Sequence, residues 1–247
     1  MNNILFENKA CIVINKRCGE DSERPQGFNG LKPVHRLDQP ASGCLLLAKT
    51  REVADFLSKT FQSNPDNKPH DRQLEKLYWA IAEKPKAQAS MTQIQLNDYP
   101  HDNAGNEWKE LVHWISSSGK GNKSFAHNDE RPGAKRAVMR LRQAGEGVNY
   151  LYLEIDLVTG RHHQIRAQLA ALGLHIKGDL KYGSRRSEKT GGIRLHARSL
   201  RFPNPLEHDN MVFTEALPPL LEEDSLWQDF MTAVTISNPE GVYRECL

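Results

Sequence analysis

The 247-residue sequence predicts an α+β fold, with a large mixed, mainly antiparallel sheet flanked by helices and loops. Three observations predict it. Leu151, Leu153, Ile155 and Leu157 alternate with Tyr152, Glu154 and Asp156. That period of two marks a half-buried strand, which belongs to an antiparallel sheet. Strand-like segments outnumber helix-like ones. Their order is irregular, unlike a βαβ series, and no fixed-period repeat organises the chain.

In chain order, Ile4–Phe6 and Ala10–Asn15 read as short strands, the second opening on Ala-Cys-Ile-Val-Ile. Lys16–Leu31 is a polar loop carrying Pro25, Gly27 and Gly30. The short stretch Val34–Leu37 leads into the turn-like Gln39-Pro40-Ala41-Ser42-Gly43. Cys44–Lys49 is apolar enough for a buried strand. Val53, Phe56, Leu57 and Phe61 are spaced as one face of a helix over Arg51–Gln62. Ser63–Asp71 reads as a loop and Lys76–Ala82 as a strand. Ser116–Gly133, rich in Ser, Gly, Asn and Lys, reads as a long loop or mobile insertion. Ala137–Arg142 and Asn149–Val158 form a hairpin pair, and Ile165, Leu169 and Leu172 place a helix over His163–Leu172. Arg194–Phe202 reads as the last strand, and a short helix follows Pro218. Residues 1–218 are expected to form one catalytic domain, with 219–247 an acidic tail packed on it.

Hydrophobic residues make up 38% of the chain, enough for a core, and no apolar run reaches the ~20 residues of a membrane span. The N-terminus has neither a secretory nor an organellar targeting pattern. Cys11, Cys18, Cys44 and Cys246 contain no pair two residues apart. This excludes a zinc knuckle or redox motif, and a reducing cytoplasm is the expected compartment. The net charge of +2 hides an asymmetry. Leu206–Leu247 holds nine acids against Arg244, so the remainder carries a net +10. Gly160–Arg201 holds ten basic residues and two acids, and Arg131–Arg142 five basic residues and none. Such a basic field attracts polyanions, unless the run is simply a solvated face.

The histidines, including His162, His163, His175 and His196, lack the spacing and the partner carboxylates of a metal site, so no metal is expected. The glycines fit no phosphate-binding pattern, and Ser42 lies in no nucleophile elbow. His35-Arg36-Leu37-Asp38 is different. From spacing alone, an Asp before Gln-Pro is first of all a turn initiator. Its second reading is a carboxylate kept ionised by a neighbouring arginine, as a nucleophile requires.

Four ordered motifs then bear on the choice. Val34–Gly43 resembles the H-R-L-D-x-x-[TA]-S-G signature of the RluA family of RNA pseudouridine synthases. Lys76-Leu77-Tyr78 resembles its K-x-Y motif, and Thr159–Arg166 its T-G-R-x-H-Q-I-R. Gly178–Gly183 and Leu195-His196-Ala197 resemble its closing G-D-x-x-Y-G and L-H-A elements. The resemblance covers about Ile4 to Pro218. Ala41, His162, Leu174 and His175 depart from the commoner family residues.

The resemblance implies the pseudouridine synthase fold, with a central active-site cleft. It also implies isomerisation of a uridine in structured ribosomal or transfer RNA, without metal or small-molecule cofactor. The N1–C1′ bond breaks, the uracil turns, and C5 is rejoined to the same ribose. Asp38 carries over as the catalytic aspartate, acting as nucleophile at C1′ or as base at C2′. Arg166 would pair with it. Tyr78 would stack on the uracil and serve proton transfer. Arg36 would fill the gap left by a flipped base, and Lys177 and Lys181 would contact phosphates. The enzyme is expected to be a cytoplasmic monomer with no membrane partner and no appended N-terminal RNA-binding domain. The rival expectation is a noncatalytic RNA-binding or RNA-folding protein on the same scaffold, which has no need of Asp38, Tyr78 and Arg166 together.

Overall fold

The computed structural model describes residues 3–61, 74–85, 97–98, 108–119, 121–189, 191–219 and 221–237. The loop expected over Ser63–Asp71 lies outside them. The elements are β1 (Ile4–Glu7), β2 (Cys11–Lys16), β3 (Lys32–Pro33), β4 (Ser42–Ala48), α1 (Arg51–Phe61), β5 (Glu75–Glu83), β6 (Asn97–Asp98), β7 (Lys109–Ser118) and β8 (Lys123–His127). They continue with β9 (Lys135–Glu146), β10 (Tyr150–Asp156), α2 (Gln164–Ala171), β11 (His175–Ile176), β12 (Leu195–Asn204), β13 (Glu207–Glu215) and α3 (Ser225–Ser237). A 3-10 turn covers Leu180–Tyr182. The main sheet runs β1-β2-β4-β12-β5-β10-β9-β7-β6, with β3, β8, β11 and β13 added at its sides. Among the described residues, the pairing is antiparallel except where β12 lies parallel to β4, with His196 opposite Ser42 and Ala197 opposite Gly43. The mixed, mainly antiparallel α+β architecture is therefore as expected.

That parallel step brings two distant parts of the chain together. Gly43 has φ +114°, and a Cβ there would run into the Ala197 backbone. Only glycine lets β4 approach β12 this closely. The turn before β4, which carries Asp38, is thereby set beside the centre of the sheet. Ile165 and Leu169 of α2 pack on Tyr78, Ala80, Leu153 and Ile155 on one face. Trp227, Phe230 and Val234 of α3 cover Trp79, Ile81 and Tyr152 on the other.

Three expectations need correction. Ser116–Gly133 is not a long loop, because Ser116–Ser118 and Lys123–His127 pair as the end of a β7–β8 hairpin. The strands alternate: Leu111, His113 and Ile115 are buried while Trp114 and Ser116 are half-buried, and Asn122 makes the turn at φ 43°. A serine- and lysine-rich outer face disguised the strand. β10 is not half-buried but covered on both faces. Tyr152 stacks on Phe230, and the wholly buried Glu154 accepts hydrogen bonds from Trp79 and Arg142. Nor is the Arg194–Phe202 strand the last. β13 pairs along β12, with Val212 and Thr214 buried, and its acidic beginning made it read as tail.

Candidate active site

Thr159–Arg166 forms a tight entry into α2. The Thr159 hydroxyl donates to Gln164 Oε1 (2.8 Å), Arg161 N–H donates to the same oxygen (2.9 Å), and Gln164 Nε2 donates to Val138 O (3.1 Å). This fastens the helix start to β9. His163 then adopts φ 51°, a left-handed conformation unusual for a non-glycine residue. The turn aims Arg166, one turn into α2, at Asp38.

Arg166 serves two carboxylates with one planar fork. Its Nε and Nη2 donate to Asp179 Oδ2 (2.6 Å) and Oδ1 (2.8 Å), and its Nη1 donates to Asp38 Oδ2 (3.0 Å). The guanidinium carbon lies 4.8 Å from the Tyr182 ring centroid. Burial works against the Arg166 charge, but the Asp179 hydrogen bonds and the charges of both aspartates outweigh it and raise its pKa. Asp179 and Arg166 are fully enclosed, whereas the Asp38 side chain stays 14% exposed. One carboxylate thus anchors the arginine and the other faces open space.

The backbone around Asp38 is clamped on both sides. Ser22 Oγ accepts from Leu37 N–H (3.0 Å) and donates to Leu37 O (2.8 Å). Gln39 O accepts from Gly19 N–H (2.8 Å) and from Lys16 Nζ (3.2 Å). Lys16 is wholly buried, and its Nζ also donates to the carbonyls of Arg17 and Glu20. Burial lowers its pKa to about 8 against the pull of Cys18, Glu20 and Asp38.

Above Asp38, His163 Nε2 lies 3.9 Å from Oδ2, and His163 Nδ1 is 3.0 Å from Tyr182 Oη. Tyr182 Oη accepts from Ser124 N–H (2.8 Å), so its own proton is available to His163 Nδ1. Burial, against the opposing pull of Asp38, drops the His163 pKa to about 4, so the ring is neutral. His162 stacks on His163 at 3.8 Å and pairs with Ser124 Oγ (2.8 Å). Tyr78 forms the sheet side of the site. Burial first, and then the Asp38 charge, push its phenol far above the usual tyrosine range. A cavity of about 280 Å³ is bounded by Arg36, Asp38, Tyr78, His162, His163 and Arg166. This lies at the small end of ligand sites, which begin near ~300 Å³.

The family model described as RNA pseudouridylate synthase matches residues 11–171.

The chain belongs to the RNA pseudouridylate synthase family.

An uncharacterised RNA pseudouridine synthase of Zymomonas mobilis is 32% identical over 68% of the chain, an alignment spanning 64% of that protein's length. The tRNA pseudouridine synthase C of Vibrio cholerae is 27% identical over 93% of the chain and 94% of its own length. Among solved structures, human RNA pseudouridylate synthase domain containing 1 superposes with a TM-score of 0.64 at 20% identity, covering 95% of this chain and 94% of that one. That likeness confirms the pseudouridine synthase fold.

In this family member, the structure brings Asp38, Tyr78, Arg166 and Arg36 around one cavity, and Lys181 to an adjoining one that shares Arg36, Asp38 and Arg166. Lys177 is not there. It is ion-paired with Glu188 and lines a separate cleft with Glu83 and Arg185. Arg161 borders the cavity, but its Nε is engaged by Arg136 O (3.0 Å). Sequence reasoning quoted Asp179, Tyr182 and His163 within motifs without giving them work, and passed over Lys16, Ser22 and Ser124. A lysine two residues past the apolar run Cys11–Ile14 was the one available signal for Lys16. Among the described residues, no group of three or more His, Cys, Asp or Glu is placed to hold a metal, and no helix is long and apolar enough to cross a membrane.

Proposed function

We propose that this chain isomerises a uridine of a structured transfer or ribosomal RNA to pseudouridine, with Asp38 as the reacting carboxylate. One observation carries the reading: Asp38 faces the cavity while the Arg166 beside it is held from behind by a second, buried carboxylate, Asp179. Such an arrangement holds one carboxylate oriented and open to a reactant. The size of the cavity supports entry of a single base, which has to leave its stack to reach Asp38. Arg36, exposed at the rim, is positioned to fill the vacated space. Tyr78 enters the cycle as a neutral phenol. As C5 joins C1′, the proton leaving C5 passes to the phenol oxygen while the phenol's own proton passes to water. The uracil N1 freed from C1′ takes up a proton from water, and the ring supports the turned uracil. The choice between attack at C1′ and proton removal at C2′ does not change these roles. Relatives named for transfer RNA and for the ribosomal large subunit support the two RNA classes.

The test is to map pseudouridines in total RNA from cells with and without the chain, and from cells carrying Asp38→Asn. The expected result is a site lost in both deficient strains. The Asp38→Asn protein retains its fold and its RNA binding. A modification pattern identical in all three strains, with RNA binding intact, would leave the noncatalytic RNA-binding reading in its place.

A further inference from the structure

Phe125 of β8 is 46% exposed, the most exposed aromatic side chain among the described residues. A lone apolar side chain on a surface is ordinary, but its surroundings here are not. Lys123 Nζ sits 5.7 Å from the Phe125 ring centroid and 4.9 Å from that of Tyr182, the ring lying against Arg166. Lys181 Nζ donates to Asn122 O (3.1 Å), which brings a second cation to the hairpin turn. The hairpin is also fixed relative to the active site. The buried Ser124 donates its N–H to Tyr182 Oη and pairs its hydroxyl with His162. An aromatic face and one ammonium group are therefore held on a regular strand, and a second ammonium on the 3-10 turn beside it, where Asn122 and Lys181 line a cavity with Asp38. None of Lys123, Lys181 and Phe125 has a carboxylate neighbour within ion-pair or ring contact among the described residues.

We propose that the end of the β7–β8 hairpin is an RNA contact surface, where a base next to the target uridine stacks on Phe125 and Lys123 and Lys181 meet the flanking phosphates. This rests on the RNA reading above and assigns that substrate a second point of contact. Base–aromatic stacking tolerates any base, and paired cations follow the backbone, so the surface grips unpaired RNA without selecting its sequence. A protein partner is disfavoured by the cations on either side, because interface centres are depleted in lysine.

The probe is a fluorescein-labelled RNA hairpin with an all-uridine loop, titrated with the full chain and followed by anisotropy. Phe125→Ala and Phe125→Leu should each weaken Kd by roughly five- to a hundredfold, and Phe125→Trp should stay within about threefold of the parent. Because Phe125 is exposed, circular dichroism should find all three variants folded. With 5-iodouridine in the loop, irradiation should cross-link Phe125, identified by mass spectrometry. Unchanged affinity in Phe125→Ala overturns the proposal. So does full affinity in Phe125→Leu, which would reveal apolar packing without stacking. Pseudouridine formation by the parent chain is scored separately. Loss of binding in Phe125→Ala with no modification by the parent would sink the enzymatic reading and keep the surface. Modification with no effect at Phe125 would do the reverse.

Discussion

Replacing Arg166 by lysine keeps the charge and removes the fork. In the parent, three donors on one plane reach two carboxylates, at 2.6 and 2.8 Å to Asp179 and 3.0 Å to Asp38. An ammonium presents its donors from a single atom and cannot span both. One carboxylate must lose its partner. If lysine stays with Asp38, the buried Asp179 is stranded, and breaking such a pair costs about 3–5 kcal/mol of stability. If it stays with Asp179, Asp38 loses its orientation, and a shift of about 1 Å in a reacting group costs on the order of a hundredfold in rate. The expected Arg166→Lys protein is therefore destabilised by about 3 kcal/mol, slowed about a hundredfold, or partly both. Urea melts and single-turnover pseudouridine formation on saturating RNA read the two separately. Asp179→Asn adds a second constraint. If Asp179 acts on Asp38 only through the fork, its loss should cost little rate in an Arg166→Lys background. An Arg166→Lys protein with parental stability and rate would refute the coupling, and so would fully additive losses.

Tyr78→Phe keeps the ring and removes the hydroxyl; single-turnover rates should fall about a hundredfold or more with RNA affinity kept, the usual range for proton-transfer help. Acid should destabilise the fold, because the buried His163 and His196 have pKa values of about 4. Below about pH 6.5 the unfolded chain binds protons that these rings refuse, so stability present above that pH is lost as pH falls toward 4. At pH 5 each contributes a loss of about 2 kcal/mol, together about 4, a large part of a typical 5–15 kcal/mol, and a urea midpoint equal at pH 7 and pH 5 would refute it. RNA affinity should fall with salt at a log–log slope of only about −2 to −4, as expected for a few local phosphate contacts; a slope near −10 would mean that the whole basic surface binds.

Much of the site was legible because its chemistry is local in sequence. His35–Gly43 sets an aspartate beside a turn and a buried strand, and both are found. The meeting of Asp38 with Arg166 spans 128 positions, so only the family resemblance pointed to it. Asp179 was visible within the G-D-x-x-Y-G stretch, but nothing local in that stretch shows that it holds Arg166, 13 positions away. The fold shows the same division. Alternation located β10 correctly and misjudged its second face, since Tyr152 and Glu154 look solvent-directed until Phe230, Trp79 and Arg142 arrive from elsewhere. The β7–β8 hairpin was missed because its outward residues are those of a loop, while its inward ones bind through partners on α2 and the 3-10 turn.

The charge reading needs the most revision, and the revision narrows where RNA can be held. Counting residues gave a net +10 outside an acidic tail. In the fold, Arg198 pairs with Glu215 and Arg194 with both Glu188 and Asp224. Arg140 pairs with Glu110 and Asp156, Arg142 with Glu154, Arg185 with Glu83 and Arg201 with Glu75. Glu215 and Asp224 are therefore counterions of Arg198 and Arg194 rather than parts of a separate negative tail. A paired, half-buried arginine gives little to a phosphate, because engaging it would strand its carboxylate. Arg36, Lys123 and Lys181 form no salt bridge with a described residue, and all three lie around the mouth of the Asp38 cavity or the adjoining hairpin. Exposed Arg186 and Lys189 likewise form no salt bridge with a described residue and line the separate cleft with Lys177. On the proposed reading, the three cations near Asp38 would therefore orient an RNA that other cations also attract.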